Sequence, residues 1–190
     1  MQDVNHALRR GEYFWVDIIR DGIALYELPN HPIAAPQPLT AGDALKMASA
    51  YFVAHLQKID AAIEGAEFYA GKGHTNDAAF TLHQAVERAY GCYLLTHTFY
   101  FPRSHNIKFL RSLAEDKDER LIAVWPRDSK IDRRRFELLK RAYVEARYSS
   151  SYEISSEDLA ALAEAATRLR DVVERLCSER IDRLRSVAEG

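Results

Sequence analysis

The periodicity of apolar residues from Thr40 onward constrains the fold of this chain most strongly. Apolar side chains recur at intervals of three and four along several stretches, and short breaks at Gly, Pro or Ser separate these stretches. This spacing places the apolar side chains on one face of a helix, which must then be buried against other helices. Short breaks make consecutive long helices lie side by side. The pattern predicts a mainly α fold, a four- or five-helix up-and-down bundle over residues 40–190.

The apolar positions and the helix-capping residues also predict where each helix of the bundle lies. Thr40 with Asp43 three residues later is typical of a helix N-terminus, as is Ser155 or Ser156 followed by two carboxylates. One stretch is so rich in apolar residues that two of its faces must be buried. Helices are predicted over about 41–71, 76–99, 105–113 (capped by Ser104), 132–148 and from about 156 onward.

The first 39 residues differ in character from the rest of the chain. Apolar residues at helical spacing predict a short helix at the N-terminus. Residues 13–19 are aromatic and β-branched, Asp21-Gly22 is a turn pair, and residues 23–26 are apolar again. Together these segments predict a β-hairpin. Four of the six prolines follow within ten residues and predict a linker.

Composition and charge exclude several classes of protein. The chain has 190 residues, of which 47% are hydrophobic, which is enough for one real core. Its net charge of -2 indicates no general affinity for nucleic acid or anionic lipid. No apolar run approaches the roughly 20 residues of a membrane-spanning helix, and the N-terminus lacks the apolar stretch of a signal peptide. We therefore expect a cytoplasmic protein without membrane contact, with Cys92 and Cys177 reduced in its core.

The nearly neutral total hides a basic segment between Arg127 and Arg147. This segment holds eight Lys or Arg and four Asp or Glu, a net charge of +4. Such a patch is either a phosphate-binding surface or a solvated helix face. The sequence from Tyr143 to Tyr152 favours binding, because Arg147 and Tyr148 meet a serine-rich break there. Arginine is bidentate toward phosphate and tyrosine stacks on bases.

A histidine and a carboxylate share one face of the second predicted long helix. His83 and Glu87 are four residues apart, a spacing at which they could bind a metal ion. No third ligand is recognisable in the sequence, so we expect neither a metal nor another cofactor. A buried polar network that joins Glu87 or Gln84 to an arginine of a neighbouring helix is the favoured interpretation.

Three segments, Phe80–Tyr90, Ser104–Leu110 and Tyr143–Tyr148, resemble the HEPN domain, the higher-eukaryote and prokaryote nucleotide-binding helical bundle. The resemblance covers about residues 41–180. It implies a helical bundle that is usually a homodimer with a polar cleft near the dimer interface. It also implies one of two activities, because many members are metal-independent ribonucleases, often toxins, and others bind nucleotide or RNA without catalysis.

HEPN domains frequently accompany a minimal nucleotidyltransferase of the polymerase-β type. The segment Val4–Tyr26 resembles the closing helix and hairpin of such an enzyme. This resemblance implies that residues 1–39 are a nucleotidyltransferase-like tail ahead of a HEPN bundle at residues 40–190. The Gly-Ser loop and Asp-x-Asp carboxylates that hold the catalytic cations are absent from this sequence. We therefore expect no transferase activity from this chain, and a nucleotidyltransferase partner in trans.

Catalytic HEPN members place a histidine four to six residues beyond an arginine. Arg147 matches the arginine, but residues 151–154 are Ser-Tyr-Glu-Ile. Tyr152 is the remaining candidate there, although a phenol with a pKa near 10 is a weak base at neutral pH. By resemblance, the candidate catalytic residues are Arg147 and Tyr152. The candidate nucleotide- or RNA-binding residues are Arg141, Arg147, Tyr148, His83 and Glu87, with Glu87 orienting Arg147.

Three functions are consistent with these residues. The first is a dimeric nucleotide- or RNA-binding module that serves a nucleotidyltransferase. The second is a metal-independent ribonuclease toxin of a toxin-antitoxin pair, with Arg147 and an unconventional base such as Tyr152 or a histidine from elsewhere. The third is a non-catalytic dimerisation domain of a split or truncated fusion.

Overall fold

A computed structural model describes residues 2–9, 11, 13–26, 29 and 31–190. Seven α-helices and one 3-10 helix occur in this part of the chain, and no β-strand does. The mainly α prediction is therefore confirmed. The elements are α1 (Gln2–Arg9), α2 (Tyr13–Asp21), α3 (Ala41–Gly71), α4 (Thr75–Thr98), α5 (Ile107–Glu115), a 3-10 helix (Glu119–Val124), α6 (Lys130–Tyr148) and α7 (Ser156–Glu189).

Side-chain caps fix where the long helices begin. The hydroxyl of Thr40 accepts a hydrogen bond from the Asp43 backbone N–H at 3.1 Å, and Ser155 caps α7 in the same way. These bonds satisfy backbone donors that have no partner within the helix. Helix α5 starts later than predicted, because Asn106 rather than Ser104 accepts from its first N–H groups. The Ser104 hydroxyl instead supports Asn106 by accepting from its N–H at 3.2 Å.

Helix α4 is the central helix of the bundle. It packs against α3, α5, α6 and α7. The prediction that two of its faces are buried is confirmed: Tyr90 and Leu94 on one face, and Ala85 and Cys92 on the nearly opposite face, are all buried. A helix that is apolar on most sides is stable only inside a core. Polar side chains on α4 are therefore held rigidly where α5 and α6 meet it.

The predicted β-hairpin is wrong. Residues Tyr13–Asp21 form α2, and the following apolar residues Ile23 and Leu25 are 87% and 96% exposed rather than paired in a strand. A short apolar run cannot be assigned to helix or strand from its periodicity alone. Here the residue pairs Phe14-Trp15 and Ile18-Ile19 also repeat at helical spacing, and Trp15 and Ile19 are the less exposed members. Packing of α2 against α1 stabilises the helical conformation of this segment.

The likeness to the end of a nucleotidyltransferase depended on that hairpin and is not supported by the structure. Hydrogen bonds instead connect the proline-rich segment to α1. Asn5 donates a side-chain hydrogen bond to the Pro32 carbonyl at 3.0 Å and accepts one from the Ala34 N–H at 2.7 Å. Gly11 has a φ of +65°, and a Cβ there would lie 2.7 Å from the Gln37 carbonyl oxygen. The domain boundary after residue 39 stays a prediction.

Cys92 and Cys177 are free thiols that are fully buried in the main core, as predicted. They lie on α4 and α7, so both belong to the interface between these helices. Among the helices of the described residues, none has the length and apolar character needed to cross a membrane.

Candidate functional site

Arg147, in the last turn of α6, lies against three aromatic rings. Its guanidinium carbon is 4.4 Å from the ring centroid of Phe80, 4.7 Å from that of Tyr143 and 4.9 Å from that of Tyr148. Such cation–π contacts hold a guanidinium in place without neutralising it. Its Nε also donates a hydrogen bond to the Tyr143 carbonyl oxygen at 2.8 Å. The side chain of Arg147 is nevertheless exposed to solvent. We call the four residues Phe80, Tyr143, Arg147 and Tyr148 the Arg147 surface.

Most other arginines of α6 are neutralised by carboxylates. Arg134 and Arg135 both contact the buried carboxylate of Asp158 at the start of α7, at 2.7 and 2.9 Å. Arg141 pairs with Glu145 one turn later, with 2.8 Å between Nε and Oε1. Much of the predicted basic patch therefore has acidic partners, some of them on another helix.

Arg147 differs from these arginines in its partners. Within the described ranges, the hydrogen-bond acceptor of its guanidinium is a backbone carbonyl, and no carboxylate lies within ion-pair distance. Arg133 is similar, since it donates to the carbonyls of Arg127 and Asp128. Of these two arginines, Arg147 also contacts aromatic rings, and the ring of Tyr148 among them is exposed. Positive charge and ring faces are therefore available together at the C-terminal end of α6.

The Tyr143 ring contacts two histidines as well as Arg147. His105, in the segment before α5, stacks on it with centroids 4.4 Å apart and planes 17° apart. The buried His83 ring of α4 lies at 5.2 Å. Tyr143 is therefore the central side chain of a cluster built from α4, α6 and the segment that precedes α5.

Glu87 contacts His105 and not the arginine that the sequence suggested. Its Oε2 lies 2.9 Å from His105 Nδ1 and 3.9 Å from His83 Nε2. The expectation that Glu87 orients Arg147 is wrong, because the Glu87 face of α4 is covered by the segment before α5. His105 is the residue that sequence reasoning missed. No local pattern in the sequence indicates the partner of His105.

His83 is the fully buried member of this cluster. Its Nδ1 lies 3.0 Å from the Leu139 carbonyl oxygen and its Nε2 lies 3.1 Å from that of His105. A neutral imidazole has one ring proton and can donate to only one of these carbonyls at a time. Burial lowers the pKa of His83, and the hydrogen bond to Leu139 and the charge of Glu87 oppose this effect. His83 thus connects α4 to α6 and to the segment that carries His105.

Tyr152 lies in the main core and is 3% exposed. Its hydroxyl donates a hydrogen bond to the Leu138 carbonyl oxygen at 3.0 Å, and burial raises its pKa to about 12. A hydroxyl that is buried, hydrogen-bonded and hard to ionise is a poor base at neutral pH. The arrangement therefore gives Tyr152 a structural role, and its catalytic role stays a prediction that the geometry does not favour.

No cluster of three or more His, Cys, Asp or Glu side chains suited to a metal ion occurs among the described residues. What the site offers is a cation, ring faces and an imidazole–carboxylate pair. These groups can bind a phosphate, stack on a base and transfer a proton.

Comparison with known proteins gives one result for this chain. A family model described as the HEPN domain matches residues 53–176. The match covers most of the bundle and includes every residue of the Arg147 surface, together with His83, Glu87 and His105. A search of curated proteins found no match. The chain belongs to the HEPN domain family.

Proposed function

We propose that this protein binds RNA or a nucleotide at the Arg147 surface. The observation that carries the proposal is the exposed Arg147 guanidinium, which lies over three aromatic rings and has no carboxylate partner in the described part of the chain. Family membership supports a nucleotide- or RNA-related role.

The Arg147 guanidinium is positioned to bind a phosphate. Its Nε and Nη2 both contact the Tyr143 carbonyl oxygen, which leaves the Nη1 protons and one Nη2 proton available as donors. The same carbonyl and the rings fix its orientation, so little side-chain entropy is lost when a phosphate binds. Two parallel N–H groups from one arginine suit two phosphate oxygens.

The neighbouring aromatic residue supplies the base contact. Tyr148 is 76% exposed and lies beside Arg147, so a base that follows the bound phosphate can stack on its ring. This preference for an unstacked base favours single-stranded RNA or a free nucleotide over a duplex. Arg141 has a secondary role, because its charge is shared with Glu145.

A homodimer is part of this proposal, because HEPN domains often dimerise. Helix α6 also carries the exposed apolar residue Val144, which a second copy could cover. Service to a nucleotidyltransferase in trans rests on family membership alone, since the N-terminal helices do not have the fold that had suggested it.

The experiment is a titration of labelled single-stranded RNA, ATP and GTP by fluorescence anisotropy at physiological salt. We expect Arg147→Ala to weaken binding about tenfold, the effect of losing one phosphate-binding arginine. The matched control is Arg168→Ala, at an exposed arginine of α7 that is not part of the Arg147 surface, and it should leave affinity unchanged. Absence of binding by the wild-type protein, or equal affinity of the wild-type protein and Arg147→Ala, would contradict the proposal.

A further inference from the structure

A cavity of about 320 Å³ lies between α5 and α6 and shares no residue with the Arg147 surface. We call it the Arg111 cavity. Its volume is in the range of small-molecule binding sites. The wall is partly apolar, because the buried Phe136 and the neighbouring Pro126 belong to it. The polar part is mainly basic, with the side chains of Lys108, Arg111, Arg127 and Arg133. This lining suits a small ligand that has an anionic end and an apolar end.

Arg111 of α5 is a buried cation in the wall of this cavity and is 6% exposed. Its Nε donates to Glu115 Oε1 at 2.6 Å, and its Nη2 donates to the Trp125 carbonyl oxygen at 2.8 Å. Its guanidinium carbon lies 4.8 Å from the ring centroid of Phe136. These contacts fix the guanidinium and leave both Nη1 protons without a hydrogen-bond partner among the described residues. Because unpaired donors of a buried charged group cost free energy, an oxyanion in the cavity would stabilise this arrangement.

Both carboxylates that line the cavity are already paired with basic side chains. Glu115 accepts from Arg111 and, through its other oxygen, from Arg127. Its side chain is 7% exposed, so solvent screens these pairs only weakly. Glu137 of α6 pairs with Lys140, with 2.5 Å between Oε1 and Nζ. Neither carboxylate is therefore available to neutralise the other cations of the cavity.

Two basic side chains of the cavity, Lys108 of α5 and Arg133 of α6, have no carboxylate within ion-pair distance in the part of the chain that the structure describes. Arg133 Nη1 donates instead to the backbone carbonyls of Arg127 and Asp128. Four basic side chains against two carboxylates give the lining a surplus of two positive charges. A role in folding alone would explain the buried ion pair, but not this surplus from two helices.

We propose that the Arg111 cavity binds a small phosphate monoester in its dianionic form. Such an ester carries close to two negative charges at neutral pH, since its second pKa is about 6, and this charge matches the surplus of the lining. Arginine N–H groups suit phosphate oxygens, and Arg111 and Arg133 present them from different helices. Lys108 adds a third cation, and Phe136 contacts the apolar part of the ester. The site is independent of the proposed function, because no residue of the Arg147 surface belongs to it.

The experiment is isothermal titration calorimetry with phenyl phosphate, a monoester whose ring is its apolar part. Full-length protein is titrated as Arg147→Ala, which removes the phosphate-binding group of the Arg147 surface. Lys108→Gln and Arg133→Gln are then each made in that protein. Both residues are exposed and lack a carboxylate partner in the described ranges, so the fold should be retained, and thermal unfolding verifies this. The matched control is Arg168→Gln in the same protein, at an exposed arginine of α7 outside the cavity.

We expect saturable binding of phenyl phosphate by the Arg147→Ala protein. Lys108→Gln and Arg133→Gln should each weaken this binding about tenfold, the effect of losing one charge-assisted contact. Arg168→Gln should leave the affinity unchanged. Phenyl sulfate has the same shape but a single negative charge, so it should bind more weakly than phenyl phosphate.

The opposite results would overturn the site. Absence of saturable binding by the Arg147→Ala protein would do so, as would full affinity in a folded Lys108→Gln or Arg133→Gln variant. An equal loss in Arg168→Gln would mean that binding depends on net charge and not on the cavity. Equal affinities for phenyl sulfate and phenyl phosphate would overturn the assignment of a dianion. The proposed function is decided separately, by the RNA and nucleotide titrations of wild-type protein and Arg147→Ala.

Discussion

Glu87 on α4 and His105 before α5 are 18 residues apart in sequence, and 2.9 Å separates Glu87 Oε2 from His105 Nδ1. The contact closes the turn between α4 and α5 and leaves the imidazole facing solvent. Through the stacked Tyr143 ring it connects a titratable pair to Arg147. The cluster therefore places a guanidinium and an imidazole–carboxylate pair against the same aromatic ring.

Tyr143 should contribute to binding through its ring. Removing the ring by Tyr143→Ala takes away the support of both Arg147 and His105, and we expect about tenfold weaker RNA binding. Tyr143→Phe retains the ring and should bind nearly as the wild-type protein does. Fluorescence anisotropy with both variants checks this. Equal losses in the two variants would mean that the hydroxyl, and not the ring, matters.

Asp158 should stabilise the fold through two arginines of α6. Burial acts to raise its pKa, but hydrogen bonds from Arg135, Ser155 and Arg134 outweigh burial and lower it. Asp158→Asn should therefore reduce the free energy of unfolding at neutral pH by about 2 kcal/mol, less than for a fully buried pair because Arg134 is largely exposed. Glu157→Gln, at an exposed carboxylate that also contacts Arg135, is the matched control and should change little.

The pH dependence of this effect has a defined sign. A carboxyl group whose pKa is lower in the folded state contributes stability above its unfolded pKa of roughly 3.9, and this contribution is lost as the pH falls through the folded pKa. Urea unfolding should show the largest difference between wild type and Asp158→Asn at neutral pH, with the two curves converging in acid. A difference that is independent of pH would contradict the ion-pair explanation.

Local signals made the bundle predictable. The caps at Thr40 and Ser155 depend on residues three positions away, and the apolar density of α4 appears in its own sequence. Both therefore follow from short-range patterns. The segment 13–21 was misassigned because an apolar run of that length fits helix and strand alike, and its packing against α1 decided the outcome.

The candidate site was less predictable because its contacts are long-range. Arg147 was identified from its own surroundings, with Tyr143 and Tyr148 nearby in sequence. The partner of Glu87 depends on how the chain turns after α4, where Phe99 adopts a left-handed conformation with a φ of 56°. The basic patch was overestimated because Asp158, which neutralises two of its arginines, belongs to the next helix.

His83 should make stability depend on pH near neutrality. Burial lowers its pKa, so the folded state binds this proton more weakly than the unfolded state does. The free energy of unfolding should therefore fall as the pH decreases below the unfolded pKa of roughly 6.5, by at most about 1.4 kcal/mol per pH unit. Chemical unfolding between about pH 7 and pH 5 should give a smaller slope for His83→Gln and an unchanged slope for His31→Gln. A slope unaffected by His83→Gln would show that other groups cause the dependence.

Tyr152 should matter for stability and not for chemistry. Its hydroxyl donates to the Leu138 carbonyl oxygen, and the phenol is buried with a pKa of about 12. Tyr152→Phe removes that donor and leaves the carbonyl unpaired, so the free energy of unfolding should fall by about 1 kcal/mol. RNA affinity should stay at the wild-type value, because the ring continues to fill its place in the core. Thermal unfolding and fluorescence anisotropy together test this, and a loss of RNA affinity in a folded Tyr152→Phe protein would contradict the purely structural role.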